Sequence, residues 1–344
     1  MKATQHDRLR WAMIFEYGKR DGKEVAMPSI ITHDTFGQDV YRDLFASIGG
    51  SRDEAEAFLL GNQGPDPLFY SVACPWLHAH HDLGNVMHDQ LPAKLIDALK
   101  TSLPFLPEDE RSVARAYALG FLCHYTLDSI MHPFIFGQQY ALCDAGEPGL
   151  TRSDGHEVHA YIETELDELV LFVKRGDTVE RFNPARDILK GSERMLRVVS
   201  KLYVYVAMAV YGRAVPLALF PSSVRAMRLG QRVFHSQSGL KRMMLGRAEE
   251  LVRPYSFVSA MSHMPVELEE SIFDNRERET WKDPFTGETS DEGFWDLYDR
   301  ALDQAKRNIA LFDSPDFNLE SARTITAEKN FSGKPTIATI VAVE

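Results

Sequence analysis

Cysteine is scarce in this 344-residue chain: Cys74, Cys123 and Cys143 are odd in number and none stands in CxxC spacing. That excludes a disulfide framework and a thiolate zinc finger, and it suits a reducing compartment. Long apolar runs are missing too. The longest without charge, Leu202 to Gly212, is too short to span a bilayer. The first residues carry Asp7, Arg8 and Arg10 and no apolar h-region, so no signal peptide is expected and the chain reads as soluble and cytoplasmic. Positive charge is also in deficit. A net charge of −12 argues against a general nucleic-acid-binding surface. There is no P-loop, no GxGxxG, no internal repeat and no low-complexity block.

Histidine is plentiful, and ten of the twelve precede residue 160. The stretch CHYTLDSIMHP places His124, Asp128 and His132 four residues apart. On an α-helix each such step turns about 40° and climbs about 6 Å, so the three side chains share one stripe. The stripe runs through Ala114, Ala116, Ala118, Leu119, Phe121, Leu122, Leu127, Ile130 and Met131. Two imidazoles and a carboxylate on a buried helix are costly unless satisfied, by a hydrogen-bonded core network or, more fully, by a cation. Leu106-Pro107-Glu108-Asp109-Glu110 opens this helix, and Pro133 is its expected end.

Other candidates flank the stripe. His33 precedes an amphipathic segment, Phe36 to Ile48, with Thr32 or Asp34 as its N-cap; Gly49 and Gly50 end it, and Ser51 with Glu54 forms a capping box for the next helix. GNQGPDP is a turn in which Asp66, between two prolines, is expected in extended backbone. His78, His80 and His81 suggest a surface loop, whereas His88 lies just ahead of an expected helix from Leu91 to Leu103. His159 and Glu163 are again four apart; His156 and His159 are three apart and therefore fail the HExxH spacing of a zinc protease. The set His33, Asp66, His88, His124, Asp128, His132, His159 and Glu163 is too large for one tetrahedral ion, which implies a cluster with a bridging carboxylate. Imidazole and carboxylate suit zinc, with manganese and iron as alternatives.

Taken in order, His33, GPDP, GNVMH, HYTLD–HP and HAYIE resemble the zinc-dependent phospholipase C family, whose all-α trizinc fold is shared with P1-type nucleases. The similarity is clearest over residues 27–167 and weaker through Trp281 to Glu288. The resemblance implies one zinc on Asp66, His88, His124 and Asp128, a second on His132, His159 and Glu163, and a third on His33 with Asp128 bridging. It gives Asp66 the further role of base for a metal-bound water attacking phosphorus. Two departures stand out. Secreted members complete the third site with a terminal amine, but 32 residues precede His33 here, so two zinc ions are expected to be held firmly and the third weakly. Choline-specific members place an aromatic residue after the aspartate, where this chain has Pro67, with Phe69 and Tyr70 nearby.

The C-terminal half supplies architecture. A core helix is expected over Lys201 to Tyr211 and an amphipathic one over Phe294 to Phe312, with helical periodicity lost after Pro315 and a β-prone tail over Thr336 to Val343. Residues 213–247 hold seven Lys or Arg and no acid, which is either a solvated helix face or an edge for anionic headgroups. The expected organisation is an extension (1–26, with Met27 an alternative start), one all-α helical-bundle domain (27–313) and a tail (314–344). The expected function is zinc-dependent hydrolysis of a phospholipid or other phosphodiester. The rivals are a P1-like single-strand nuclease, for which nucleic acid would be the substrate, and a non-catalytic metal-binding protein of the same fold.

Overall fold

The computed structural model describes residues 29–145, 150–235 and 262–336. The expected extension over residues 1–26, the stretch from 236 to 247 and the tail beyond Thr336 lie outside the described residues. What is described is all-α, apart from a two-stranded antiparallel ribbon, β1 (Trp281–Lys282) with β2 (Thr289–Ser290).

The axis is the helix Glu108–Cys143. Three acids in its first turn face the positive end of its dipole. From Ala116 to Asp128 every residue is buried, because helices close around it on all sides. In chain order the helices are α1 (Ile30–Ile48), α2 (Arg52–Gly61), α3 (Leu83–Asp89), α4 (Pro92–Ser102), the axial α5 (Glu108–Cys143) and α6 (Gly155–Arg175). They continue with α7 (Pro184–Asp187), α8 (Glu193–Tyr211), α9 (Leu219–Phe234), α10 (Phe294–Phe312) and α11 (Leu319–Thr326). Helices α1, α2, α6, α8 and α10 all pack on α5. The capping box of Ser51 and Glu54 opens α2 as expected.

Helix α2 meets α5 at two glycines. A Cβ on Gly120 would fall 2.0 Å from the Phe58 carbonyl, and one on Gly61 would fall 2.4 Å from that of Tyr117. This approach delivers the loop after α2 onto the polar stripe of α5. Gly64 in that loop has φ +48 and leaves room for the His124 ring, which a Cβ would meet at 2.1 Å. Glycine is required there on both counts.

Several expectations need correction. Helix α1 starts at Ile30, not after Asp34, and His33 lies inside it. Its first turn is capped from another element: Asp167 of α6 accepts from Ile31 N, Thr32 N, Thr32 Oγ1 and Ser29 Oγ at 2.6–3.0 Å. Asp66 opens a 3-10 helix (Asp66–Ala73) instead of sitting in extended backbone. The histidines at 78 and 80 lie on another 3-10 helix, Pro75–His80, not in an irregular loop. His88 does lie ahead of the expected helix, α4, but on a short helix of its own, α3, with Leu91 at φ 55 between them. Pro133 does not end α5, which continues ten residues further to Cys143. An interior proline costs about 3 kcal/mol. Burial of Phe134, Ile135 and Phe136 in the turn beyond it offsets this at roughly 1.5–3 kcal/mol per side chain. The region after Pro315 contains α11, too short for its periodicity to register.

The glycine contact gives a sign test. In an ordinary helix interior, Gly→Ala stabilises by about 1 kcal/mol. Gly120→Ala is expected to destabilise instead, by roughly 1–3 kcal/mol of overpacking, read as a lower denaturant midpoint. A raised midpoint would show that α2 does not depend on this approach.

Candidate metal centre

All eight expected residues converge on one cluster, seven of them buried and His88 half-buried. The α5 stripe supplies His124, Asp128 and His132; α1 adds His33, the 3-10 helix adds Asp66, α3 adds His88, and α6 adds His159 and Glu163. Two subsets share His124, namely His33–Asp66–His124 and His88–His124–Asp128, while His132–His159–Glu163 forms a separate one. Within each subset one ligand atom per residue lies within 4.8 Å of the others. Asp66 Oδ1 stands 3.0 Å from His88 Nε2 and 3.7 Å from His124 Nε2. Glu163 Oε1 stands 3.3 Å from His159 Nε2 and 3.5 Å from His132 Nε2. Asp128 lies between: Oδ2 is 3.2 Å from His124 Nε2, and Oδ1 is 3.0 Å from His33 Nε2 and 3.9 Å from His132 Nε2.

The far side of each ring decides what the near side can be. His88 Nδ1 donates to the Gly84 carbonyl at 2.8 Å, His132 Nδ1 to that of Phe331 at 2.8 Å, and His124 Nδ1 faces that of Asn62 at 3.2 Å. His159 Nδ1 lies 2.9 Å from Gln139 Oε1. Carbonyl oxygens only accept, so these Nδ1 atoms carry protons, and each Nε2 is left to face the carboxylates. His33 differs in that both its nitrogens face cluster members, Nδ1 lying 3.3 Å from His124 Nδ1.

Burial drives His124 down to about 4 against the pull of Asp128 and Asp66, so its ring is neutral at pH 7. Its Nε2, that of His159 and Glu163 Oε2 are buried without a hydrogen-bond partner. Polar atoms buried without partners are costly, and a cation held between them removes that cost. The donor set, imidazole with carboxylate and no thiolate, suits zinc. Carbonyl-anchored Nδ1–H groups are the usual outer support of such ligands.

His78 is exposed and His81 buried, and neither belongs to these subsets, nor does His80. In the described part of the basic stretch, Arg213 pairs with Asp82, Arg225 with Glu193, and Arg228 donates to the Leu189 carbonyl. Helix α9 thus buttresses the 3-10 helix that carries Asp66. Three supporting residues escaped the sequence reading. Asp167 continues the His159–Glu163 spacing by four more residues, and Gln139 stands seven residues after His132 on the same helical face. Both signals were there to be used. The Phe331 carbonyl acts through the main chain and has none.

A family model described as zinc dependent phospholipase C matches residues 32–212, more than half of the chain and all eight cluster residues. The chain belongs to the zinc-dependent phospholipase C family. No curated protein and no solved structure matches it. No helix among the described residues is long and apolar enough to cross a membrane. For a member of this phospholipase C family the converging lone pairs have a direct use, since they fit zinc.

Two measurements follow. Asp128→Ala removes the carboxylate shared by His33, His124 and His132, and is expected to lower both metal content and melting temperature. Unchanged values of both would mean that the stripe holds no metal. The second is pH dependence. Without metal, burial lowers His132, but Asp128 and Glu163 outweigh it and lift it to about 10 from 6.5. A raised histidine stabilises fully below its unfolded pKa and loses that contribution as pH climbs through the folded one. The melting temperature of chelator-stripped protein should therefore fall between pH 6.5 and about 10. Zinc needs the deprotonated ring, so the stabilisation it adds should grow over the same window. A zinc increment that stays flat or shrinks with pH would contradict this.

Proposed function

We propose that this chain is a phospholipase C-like, zinc-dependent phosphodiester hydrolase acting on a phospholipid or a related diester. The observation that supports it best is Asp128, one carboxylate whose two oxygens face His124 on one side and His33 and His132 on the other. In this reading Asp66, His88, His124 and Asp128 hold one zinc, and His132, His159 and Glu163 a second. Ser29 and Thr32 border the cavity beside His33 and Asp128, where a more weakly held third ion would sit. Zinc, when bound, acidifies water and neutralises charge on phosphoryl oxygens, the two needs of phosphodiester hydrolysis.

The protein's own contribution is to bind, orient and take a proton. Asp66 opens the 3-10 helix Asp66–Ala73, and its Oδ1 is fixed by His88, itself fixed by Gly84. It is the base in this reading. The outer carbonyls hold the rings in one tautomer, so no reorganisation is needed when charge develops. Phe69, stacked on His88 at 4.9 Å, and Tyr70 are both buried, which leaves neither ring for a choline headgroup. Cleavage of single-stranded nucleic acid in preference to lipid diesters would move the assignment to the nuclease branch. No turnover of any diester by zinc-loaded protein would leave a metal-binding protein only.

Asp66→Asn keeps the shape and one oxygen but removes the basicity. With metal content measured on the same sample, it should retain most of its zinc and lose about 10²-fold or more of its turnover of a simple aryl phosphodiester. Near-wild-type turnover in the fully loaded variant would move the search for the base elsewhere.

A further inference from the structure

The C-terminal loop after α11 touches the cluster at two places that belong to different metal groups. Phe331 N–H donates to the His88 carbonyl at 3.2 Å, closing the C-terminal end of α3. The Phe331 carbonyl accepts from His132 Nδ1 at 2.8 Å. One residue thus ties the backbone that carries His88 to the ring orientation of His132. The phenyl ring is 1% exposed and packs on His88 at 4.9 Å, Tyr125 at 5.0 Å and His124 at 5.7 Å between ring centroids.

Further contacts hold this loop in place. The Tyr125 hydroxyl of α5 donates to the Thr326 and Lys329 carbonyls at 3.1 and 2.7 Å. The Asn330 side chain accepts from Ser332 N and Lys334 N at 3.0 Å, shaping the turn. Gly333, at φ +74, lies flat on α5: a Cβ there would stand 2.5 Å from Pro133 Cγ and 2.8 Å from the Ser129 carbonyl. That carbonyl is the one whose helical donor Pro133 removes. The proline inside α5 and the glycine in the loop are thus two halves of one docking surface. The loop itself, residues 327–336, lies outside residues 32–212, the span matched by the family model.

We propose that residues 327–336 form a clasp that couples the two metal groups, so that zinc occupancy and docking of this loop are linked. The inference rests on the zinc reading above. If the loop lifts, His132 loses the acceptor that fixes its tautomer and the end of α3 loses its cap, weakening both groups together. By reciprocity, zinc holds the loop down.

The test uses the full chain. Gly333→Ala displaces the loop, and Tyr125→Phe loosens it while keeping the ring. Gly176→Ala is the control, strained by φ +60 but with nothing within 4 Å of the added Cβ. Zinc affinity is measured by competition with a chromophoric chelator, and cobalt substitution gives a visible spectrum for each group. Both clasp variants should bind zinc roughly 10–100-fold more weakly at both groups, the usual scale for losing outer support of a ligand. The control should bind as wild type does. Chelation of wild-type protein should also speed protease cleavage within 327–336. Wild-type affinity in both clasp variants, or weakening confined to the His132 group, would overturn the coupling. A wild-type chain that takes up no zinc would overturn the metal reading itself, and the clasp with it.

Discussion

The structure turns on buried charge: three carboxylates held in the interior among imidazoles. Buried imidazoles are anchored through Nδ1–H to carbonyl oxygens, and their Nε2 atoms face Asp66, Asp128 and Glu163 across 3.0–3.9 Å. Burial alone would raise Asp128, but the imidazoles of His124, His132 and His33 outweigh it and hold it below the usual carboxylate range. Burial also opposes ionisation of Glu163, and His159 and His132 outweigh it. The cluster is therefore built to keep its acids charged, in an interior where uncompensated charge costs several kcal/mol per ion. A divalent cation resolves that conflict and inverts the local pKa logic.

The rest of the fold keeps these acceptors from escaping. The glycine contact of α2 with α5 presses the Asp66 loop against His124, and Gly64 makes room for the ring. Asp167, buried on α6 below Glu163, caps the helix that carries His33 and accepts from His263 Nε2 at 3.0 Å. One face of α6 thus serves both metal binding and the capping of α1. The stacking of Phe69 on His88 and the packing of Phe331 on His88 and His124 fill the remaining sides with apolar surface. Close packing of this kind raises the cost of any motion that would let the acceptors drift apart.

Much of this was legible in the chain itself. The spacings 124–128–132 and 159–163 are local, so helical periodicity alone places those side chains together, and the all-α class and the axial helix followed from the same pattern. The capping box at Ser51 is local too. What periodicity cannot carry is partnership between distant segments. The start of α1 depends on Asp167, more than a hundred residues away, and so its N-cap was misplaced at Thr32 or Asp34. Pro133 reads as a stop because the rule for proline is local, while the loop that covers it arrives near residue 333. Gly64 looked like any turn glycine until the His124 ring stood against it.

The central claim is that cations stand where the Nε2 and carboxylate atoms converge. Anomalous diffraction at the zinc edge, from crystals grown without chelator, tests this most directly. Two peaks are predicted, one among Asp66, His88, His124 and Asp128 and one among His132, His159 and Glu163, each about 2.0–2.2 Å from its nitrogen and oxygen ligands. Zinc-free density with the imidazoles hydrogen-bonded directly to the three carboxylates would contradict it.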